Sequence, residues 1–151
     1  LQPADPAMRE LMCSAWTVTL HYQMLVTLAR ALRVIGRSQE ATQFEQQAES
    51  VQRDFQRMLI VDGVLTGYAL FEEGSVRHLL HPSDTITGVR YSSLAMIHAI
   101  LEDLLSPEQA RTHLQLIQAH LNPFGRHSES AAGRQAVQTF PAIRHVPGQR
   151  H

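Results

Sequence analysis

Apolar residues recur every three or four positions over the first quarter of the chain, and this spacing constrains the fold more than any other feature. They form one stripe that consists of Leu11, Ala15, Val18, Tyr22, Leu25, Ala29 and Leu32. Because an α-helix has about 3.6 residues per turn, the stripe predicts a helix near residues 5–35, which Asp5-Pro6 can begin and Gly36 can end. More apolar residues flank the stripe, so we expect burial on more than one side of this helix; they are Met12, Trp16, Leu20, Val26 and Leu28.

A second helix is predicted near residues 38–58, because its apolar residues also share one face. These residues are Ala41, Phe44, Ala48, Val51, Phe55 and Met58. The opposite face is polar and is predicted to be fully solvated; it holds Gln39, Glu40, Gln43, Gln46, Gln47, Gln52 and Arg53. Two amphipathic helices joined by a short turn at Gly36 predict an antiparallel helical hairpin.

Helical spacing then stops, and residues 59–80 are predicted to form short β-structure. Asp62-Gly63 suits a tight turn with positive φ angles, and Gly74 lies between two further strand-like runs. Two more helices are predicted near 92–104 and 106–121. Their apolar positions are Leu94, Ile97, Leu101 and Leu104 in the third, and Ala110, Leu114, Ile117 and Leu121 in the fourth. Ser106-Pro107-Glu108-Gln109 has the residues of a capping box at the start of the fourth.

The composition excludes several functional classes. The net charge is -1 and the pI is near 6.8, so no overall field would attract nucleic acid or an anionic membrane. The 13 basic residues are all Arg, which excludes a P-loop lysine and Schiff-base chemistry. Cys13 is the single cysteine, so we expect a small buried hydrophobic residue rather than a disulfide or zinc ligand. No apolar run reaches the roughly 18 to 20 residues of a membrane span and no signal peptide opens the chain, so a cytoplasmic location is expected.

The densest polar segment runs from His81 to Tyr91, between two apolar regions, and we call it the site loop. One interpretation is a turn in which Asp84 and the threonines satisfy nearby backbone groups. The other is a binding site, which Arg90 favours because its planar guanidinium can bind carboxylates, phosphates and sugar hydroxyls. The sequence leaves both interpretations open.

Other catalytic signatures are missing. The nine His residues show no metal-ligand spacing, so no metal site is predicted. Asp84 is the only carboxylate in the site loop, and no acid pair suited to glycoside chemistry is evident. After Leu121 the helical period is lost, and residues 122–151 are predicted to form an irregular tail. We hypothesise that a reading-frame shift made this tail foreign to the fold.

Several ordered motifs are nevertheless similar to those of a known enzyme family. They are Leu1-Gln2-Pro3-Ala4-Asp5-Pro6, Ser14-Ala15-Trp16-Thr17-Val18-Thr19-Leu20, Asp62-Gly63-Val64, Leu79-Leu80-His81-Pro82-Ser83-Asp84, Thr87-Gly88-Val89-Arg90-Tyr91 and Pro107-Glu108-Gln109-Ala110. Together they resemble the cellobiose-phosphorylase-like family of carbohydrate-active enzymes, which includes chitobiose phosphorylases and the phosphorylase part of cyclic β-glucan synthases. The resemblance covers roughly residues 1–121.

This resemblance implies a mainly α fold, in which residues 1–121 form a slice of an (α/α)6 toroid. The slice would hold two helical hairpins with a short β-hairpin insertion between them. The family inverts a β-glycosidic bond with phosphate as nucleophile and one Asp as general acid. That acid belongs to an Asp-Trp-(Asp/Asn)-Asp motif, which would fall immediately before Leu1. We therefore expect no catalytic residue in this chain, and we expect the chain alone to be inactive.

The expected contribution of this chain is substrate binding. From polarity and position we expect His81, Asp84, Arg90 and Tyr91 to line the cleft end of the slice, with Trp16 as a stacking surface for sugar. The expected partner is an oligosaccharide or β-glucan, with inorganic phosphate as co-substrate and without a cofactor. A slice of a toroid would also leave apolar helix faces uncovered, so self-association is expected.

A second hypothesis is a stand-alone helical-hairpin module whose amphipathic faces bind a partner protein. The balanced charge and the even spread of Arg along the chain argue against nucleic-acid binding. The sugar, the linkage and the choice between phosphorolysis and hydrolysis stay open.

Overall fold

The computed structural model describes residues 6–120, and within this range the chain is mainly helical with two small sheets. The helices are α1 (Pro6–Glu10), α2 (Ala15–Val34), α3 (Ser38–Leu59), α4 (Ser93–Leu101) and α5 (Pro107–His120). The strands are β1 (Met12–Ser14), β2 (Ile60–Val61), β3 (Val64–Leu65), β4 (Tyr68–Glu72) and β5 (Ser75–Leu79). The predicted tail, residues 122–151, lies outside the described residues.

The predicted helical hairpin of α2 and α3 is confirmed, and Gly36 makes the turn. Gly36 has a φ of 79°, and the backbone N–H of Arg37 donates to the carbonyl of Leu32 at 2.9 Å. Together with the bond from Gly36 N–H to the Arg33 carbonyl, this is the Schellman geometry that a glycine after a helix favours. The guanidinium of Arg33 also pairs with Glu45 across the hairpin at 2.6 Å.

The predicted helix over residues 5–35 is wrong in its first third. After α1 the chain extends as β1, and α2 begins at Ala15. Met12 pairs with Leu70, and the N–H of Phe71 donates to the Leu11 carbonyl at 2.8 Å. Pairing with a distant strand therefore outweighs the local helical spacing, and Ser14 ends the strand as the N-cap of α2.

The predicted β-structure between residues 59 and 80 is confirmed. β2 and β3 form a tight hairpin in which Asp62 and Gly63 have φ angles of 49° and 77°. β4 and β5 pair antiparallel around a turn containing Gly74, and β1 adds to β4 on its other edge. The result is a three-stranded sheet in the order β1-β4-β5, of which the sequence had indicated only two strands.

The core lies where α3, α4, the segment after α4 and the sheet meet. Its largest fully buried apolar side chains include Phe55, Leu65, Met96 and Leu104. The predicted capping box of α5 is present, because Gln109 Oε1 accepts from the Ser106 N–H at 2.8 Å and the Gln109 N–H donates to Ser106 Oγ at 3.2 Å. The same capping side chain donates to Gln56 of α3 at 2.9 Å, so one residue caps the start of α5 and ties it to α3.

Two predicted polar and apolar assignments need correction. Gln52, predicted to be solvated, is half-buried, and its amide donates to the Asp103 carbonyl at 3.3 Å. On α5 the residue buried in the core is His113, whereas the predicted Leu114 is 53% exposed. The polar ring turns inward because it finds two hydrogen-bond partners there, as described below.

The sequence predicts that α2 is buried on more than one side, but residues 6–120 do not cover its second apolar side. Trp16, Leu20, Met24 and Leu28 follow one another at intervals of four on α2, and all are at least 36% exposed. On α4 three of the four predicted stripe residues also face outward, because Leu94, Ile97 and Leu101 are exposed while Ala95, Met96 and Ala99 are buried; the fourth, Leu104, lies beyond the end of α4 and is buried. We call the exposed set the outer face; it comprises Trp16, Leu20, Met24, Leu28, Leu94, Ile97 and Leu101.

Candidate functional site

Asp84 organises the site loop from within. Its Oδ1 accepts from the backbone N–H groups of Ile86 at 2.8 Å and Thr87 at 3.0 Å. Its Oδ2 accepts from the Leu80 N–H at 2.8 Å and from the Thr87 hydroxyl. Burial alone would raise the pKa of Asp84, but these hydrogen bonds outweigh it and lower the pKa below 3.8. The carboxylate is therefore ionised at neutral pH and has four donors, three from the site loop and one from Leu80.

His81 is the second anchor of the site loop, and it is 2% exposed. Its Nδ1 accepts from the Ser83 backbone N–H at 3.2 Å, and its Nε2 lies 3.1 Å from the Val61 carbonyl. Since a backbone N–H can only donate, Nδ1 is the unprotonated nitrogen and Nε2 donates to Val61. A neutral His81 thus ties the site loop to the β2–β3 hairpin.

Gly67 is the junction between the loop and the helices. Its N–H donates to the Leu79 carbonyl at 3.0 Å, and its carbonyl accepts from the Ala15 N–H at 3.0 Å. A Cβ on Gly67 would lie 2.7 Å from the Cβ of Leu80 and 3.0 Å from that of Ser92. Only glycine allows this approach, which brings the starts of α2, of the site loop and of α4 to one place.

Leu80 enters the site loop in a strained conformation. Its φ is 53°, a left-handed angle that is rare for residues with a branched side chain. The bond from the Leu80 N–H to Asp84 and the close packing on Gly67 hold it there. Strain of this kind persists only when the surroundings determine the backbone, so the loop is rigidly built at its entry.

Arg90 and Tyr91 close the site loop and differ in exposure. Arg90 is exposed, and its guanidinium has neither a hydrogen bond nor an ion pair with any residue between 6 and 120. Tyr91 is half-buried, and its ring stacks on His120 of α5 with a centroid distance of 5.1 Å and an interplanar angle of 19°. The guanidinium of Arg90 is therefore available to bind an external ligand.

Trp16 lies in the first turn of α2, directly after the residue bonded to Gly67. Trp16 is 39% exposed, and the centroid of its ring lies 6.3 Å from that of His98 on α4. Trp16, His81 and Tyr91 are each next in sequence to a residue that contacts Gly67. The structure therefore gathers the two ends of the site loop and Trp16 around one glycine.

His113 is a structural residue whose role the sequence did not indicate. It is fully buried; its Nδ1–H donates to the Gln109 carbonyl at 2.6 Å, and its Nε2 accepts from the Leu65 N–H at 2.9 Å. Burial lowers the pKa of His113, partly offset by the bond to Gln109. The available signal was a single His between Ala110 and Ile117 on an apolar helix face.

Two clefts of about 250 and 260 Å³ open elsewhere, one between the start of α2 and the end of α3 and the other between the middle parts of these helices. The first is apolar and borders Cys13, which is half-buried and whose thiol has a pKa raised by burial. The second is lined by both apolar and polar side chains, among them Val26, Arg30 and Glu45. Neither is lined by the site loop. In the part of the chain that the structure describes, no three His, Cys, Asp or Glu side chains are grouped to hold a metal ion.

The sequence of the chain is similar to that of a known glycoside phosphorylase. The chain is 32% identical over 123 residues to a 1,2-β-oligoglucan phosphorylase of Listeria innocua. The match covers 80% of this chain and 11% of that protein. No family model matches the chain. The similarity confirms the expected relationship to glycoside phosphorylases, while membership of the cellobiose-phosphorylase-like family stays a prediction.

Among residues 6–120, no helix combines the length and the apolar character needed to cross a membrane.

Proposed function

We propose that this chain is part of a carbohydrate-active enzyme that cleaves β-glycosidic bonds in oligoglucans with inorganic phosphate. The observation that carries the proposal is the 32% identity over 123 residues to a 1,2-β-oligoglucan phosphorylase. It makes a β-1,2-linked oligoglucan the first substrate to test. The chain spans about a ninth of that relative's length, so the activity would belong to a larger catalytic unit.

Within that unit, the chain would supply a slice of an (α/α)6 toroid with one wall of the sugar site. The helical hairpin of α2 and α3 and the gathering of helix starts around Gly67 support this arrangement. The general acid would come from outside residues 6–120, since the carboxylate of the site loop, Asp84, has four donors of its own. A cytoplasmic location, where phosphate is available, fits the proposed reaction.

Arg90, Tyr91 and Trp16 are the side chains that we propose contact the sugar. Arg90 can donate to sugar hydroxyls or to a phosphate oxygen, because its guanidinium has no partner among residues 6–120. The exposed ring of Trp16 can stack on a pyranose face. For His81 and Asp84 substrate binding remains a prediction, and their hydrogen bonds support a positioning role that holds the loop in shape.

The test is the binding of a β-1,2-linked glucan tetrasaccharide to the 151-residue chain, measured by calorimetry beside a β-1,4-linked control. We expect Arg90→Ala to weaken binding of the β-1,2-linked sugar about 10- to 100-fold, since a charged hydrogen bond contributes about 1.5–3 kcal/mol. Arg111→Ala on α5 is the matched control, because Arg111 is also exposed but lies outside the loop.

The melting temperatures of both variants should equal that of the wild type, because neither guanidinium has a partner in the described range. Equal binding by wild type and Arg90→Ala, together with a lowered melting temperature, would make Arg90 a structural residue. Absence of binding to either sugar by the folded chain would contradict the proposed sugar wall.

A further inference from the structure

The two ends of the site loop are held in different ways. At its entry, Asp84 accepts a hydrogen bond from the Leu80 N–H, and His81 is hydrogen-bonded to the β2–β3 hairpin. At its exit, neither Arg90 nor Tyr91 forms a hydrogen bond, through backbone or side chain, with any residue between 6 and 120. The position of the exit therefore depends on how its side chains pack.

The ring of Tyr91 has two supports. It packs against the buried core, and it stacks on the imidazole of His120 with a centroid distance of 5.1 Å and an interplanar angle of 19°. His120 is exposed at the end of α5, so its ring adds little to the core itself. Aromatic pairs prefer defined geometries and interact more strongly than their buried area implies, so the stack restrains Tyr91.

The helix α5 supports the site loop at a second point. Seven residues make almost two full helical turns, so His113 and His120 lie on the same side of α5. From that side, His113 accepts from the Leu65 N–H of the β2–β3 hairpin, to which His81 is also bonded. One side of one helix therefore backs both ends of the site loop, the entry through the hairpin and the exit through Tyr91.

We propose that His120 is a positioning residue of the candidate sugar site, whose ring sets the place of Tyr91 and through it that of Arg90. The inference rests on the proposed function, in which Arg90 and Tyr91 contact the sugar. Arg90 directly precedes Tyr91 and has no hydrogen bond of its own among residues 6–120, so its backbone follows that of Tyr91. Without the stack, both side chains are ordered only on binding, and this ordering lowers affinity.

Calorimetry with the β-1,2-linked glucan tetrasaccharide compares three variants of the 151-residue chain. His120→Ala should bind about 2- to 10-fold more weakly than the wild type, the range that the loss of one aromatic contact implies. Its melting temperature should stay close to that of the wild type, because His120 is exposed. His120→Phe keeps a ring for the stack and should bind as the wild type does. Gln118→Ala, exposed in the same turn of α5, is the matched control and should also bind normally.

Two further measurements distinguish a positioning role from a direct sugar contact. In the Arg90→Ala background, His120→Ala should weaken binding less than it does in the wild type, because part of its effect passes through Arg90. In NMR spectra of the chain without sugar, the backbone amide resonances of Arg90 and Tyr91 should shift in His120→Ala and stay in place in Gln118→Ala.

Wild-type affinity in His120→Ala overturns the proposal, as does a His120→Phe variant that binds as weakly as His120→Ala. Unchanged amide resonances of Arg90 and Tyr91 in His120→Ala also overturn it, and this result requires no sugar. A folded wild-type chain that binds neither the β-1,2-linked nor the β-1,4-linked sugar contradicts the proposed function instead. In that case the NMR comparison still decides whether His120 positions the exit of the site loop.

Discussion

The polar clamp and the outer face are two regions of this chain that differ in how their side chains are satisfied: the clamp is buried and hydrogen-bonded, and the outer face is apolar and exposed. The polar clamp comprises His81, Asp84 and His113 with the backbone groups they bind. His81 and His113 both hold the β2–β3 hairpin, one at the Val61 carbonyl and the other at the Leu65 N–H. Each of the three side chains uses both of its ring nitrogens or carboxylate oxygens inside the chain.

The outer face is not covered by other parts of the described chain in this way. Its side chains are apolar and 36–67% exposed, and no residue between 6 and 120 covers them. Within residues 6–120, the polar side chains of the clamp are fully hydrogen-bonded, whereas the apolar side chains of the outer face stay exposed. A polar group buried without a partner costs more than an exposed leucine, so the clamp has to be completed within the chain.

The sharpest way to break the clamp is His113→Ala. The change leaves the buried N–H of Leu65 without an acceptor and opens a cavity between α5 and β3, so we expect the free energy of unfolding to fall by about 3 kcal/mol. Urea unfolding followed by circular dichroism measures this loss. His120→Ala is the control on the same helix, and since His120 is exposed we expect a loss below about 1 kcal/mol. Equal losses for the two variants would refute a special role for His113.

A smaller effect is expected from Asp84→Ala, because the site loop lies nearer to solvent. Water can replace some of the groups that are hydrogen-bonded to the carboxylate, so we expect the free energy of unfolding to fall by about 2 kcal/mol at most. The loss should be local: amide hydrogen exchange at Leu80, Ile86 and Thr87 should accelerate, while exchange in α3 stays unchanged. Thr85→Ala, at an exposed position in the same loop, should leave all of these rates as they are. Exchange that is equally fast in both variants would mean that Asp84 does not hold the loop.

The mildest perturbation of the clamp is acidification. Burial lowers the pKa of His113, and burial followed by the nearby His81 lowers the pKa of His78, both from an ordinary value of 6.5. The unfolded chain therefore takes up protons at a higher pH than the folded chain. The stability that these residues contribute is complete above pH 6.5 and is lost as the pH falls from there towards their folded pKa values.

Melting temperatures between about pH 7.5 and about pH 5 measure this dependence, a range that contains the ordinary histidine pKa. Asp84 does not contribute there, because its pKa lies below 3.8. Removing His113 should flatten the profile, whereas replacing the exposed His21 by Gln should leave its slope as in the wild type. A profile that keeps its full slope without His113 would show that the buried ring is not the group that titrates.

Features with local determinants could be predicted from the sequence. The positive φ at Gly36 and Asp62-Gly63 and the capping box at Ser106 and Gln109 each involve residues within a few positions of one another. The strand β1 could not be predicted, because its partner β4 lies more than 50 residues away. In the candidate site, Asp84 accepts hydrogen bonds from nearby backbone N–H groups, as the interpretation of the loop as a turn predicted. Substrate binding by His81, Asp84, Arg90, Tyr91 and Trp16 stays a prediction.

The sequence by itself determined the helical hairpin, the β-turns and the apolar character of α2 and α4, since periodicity and turn chemistry act over one or two turns of chain. Only the tertiary structure decided which apolar stripe faces inward. On α4 the small residues Ala95 and Ala99 and the flexible Met96 are buried, and the larger Leu94, Ile97 and Leu101 point outward. Periodicity identifies a stripe but not its partner. The side of α4 that faces inward is set by the narrow space between α2, α3 and the sheet, because short side chains there allow the elements to approach closely.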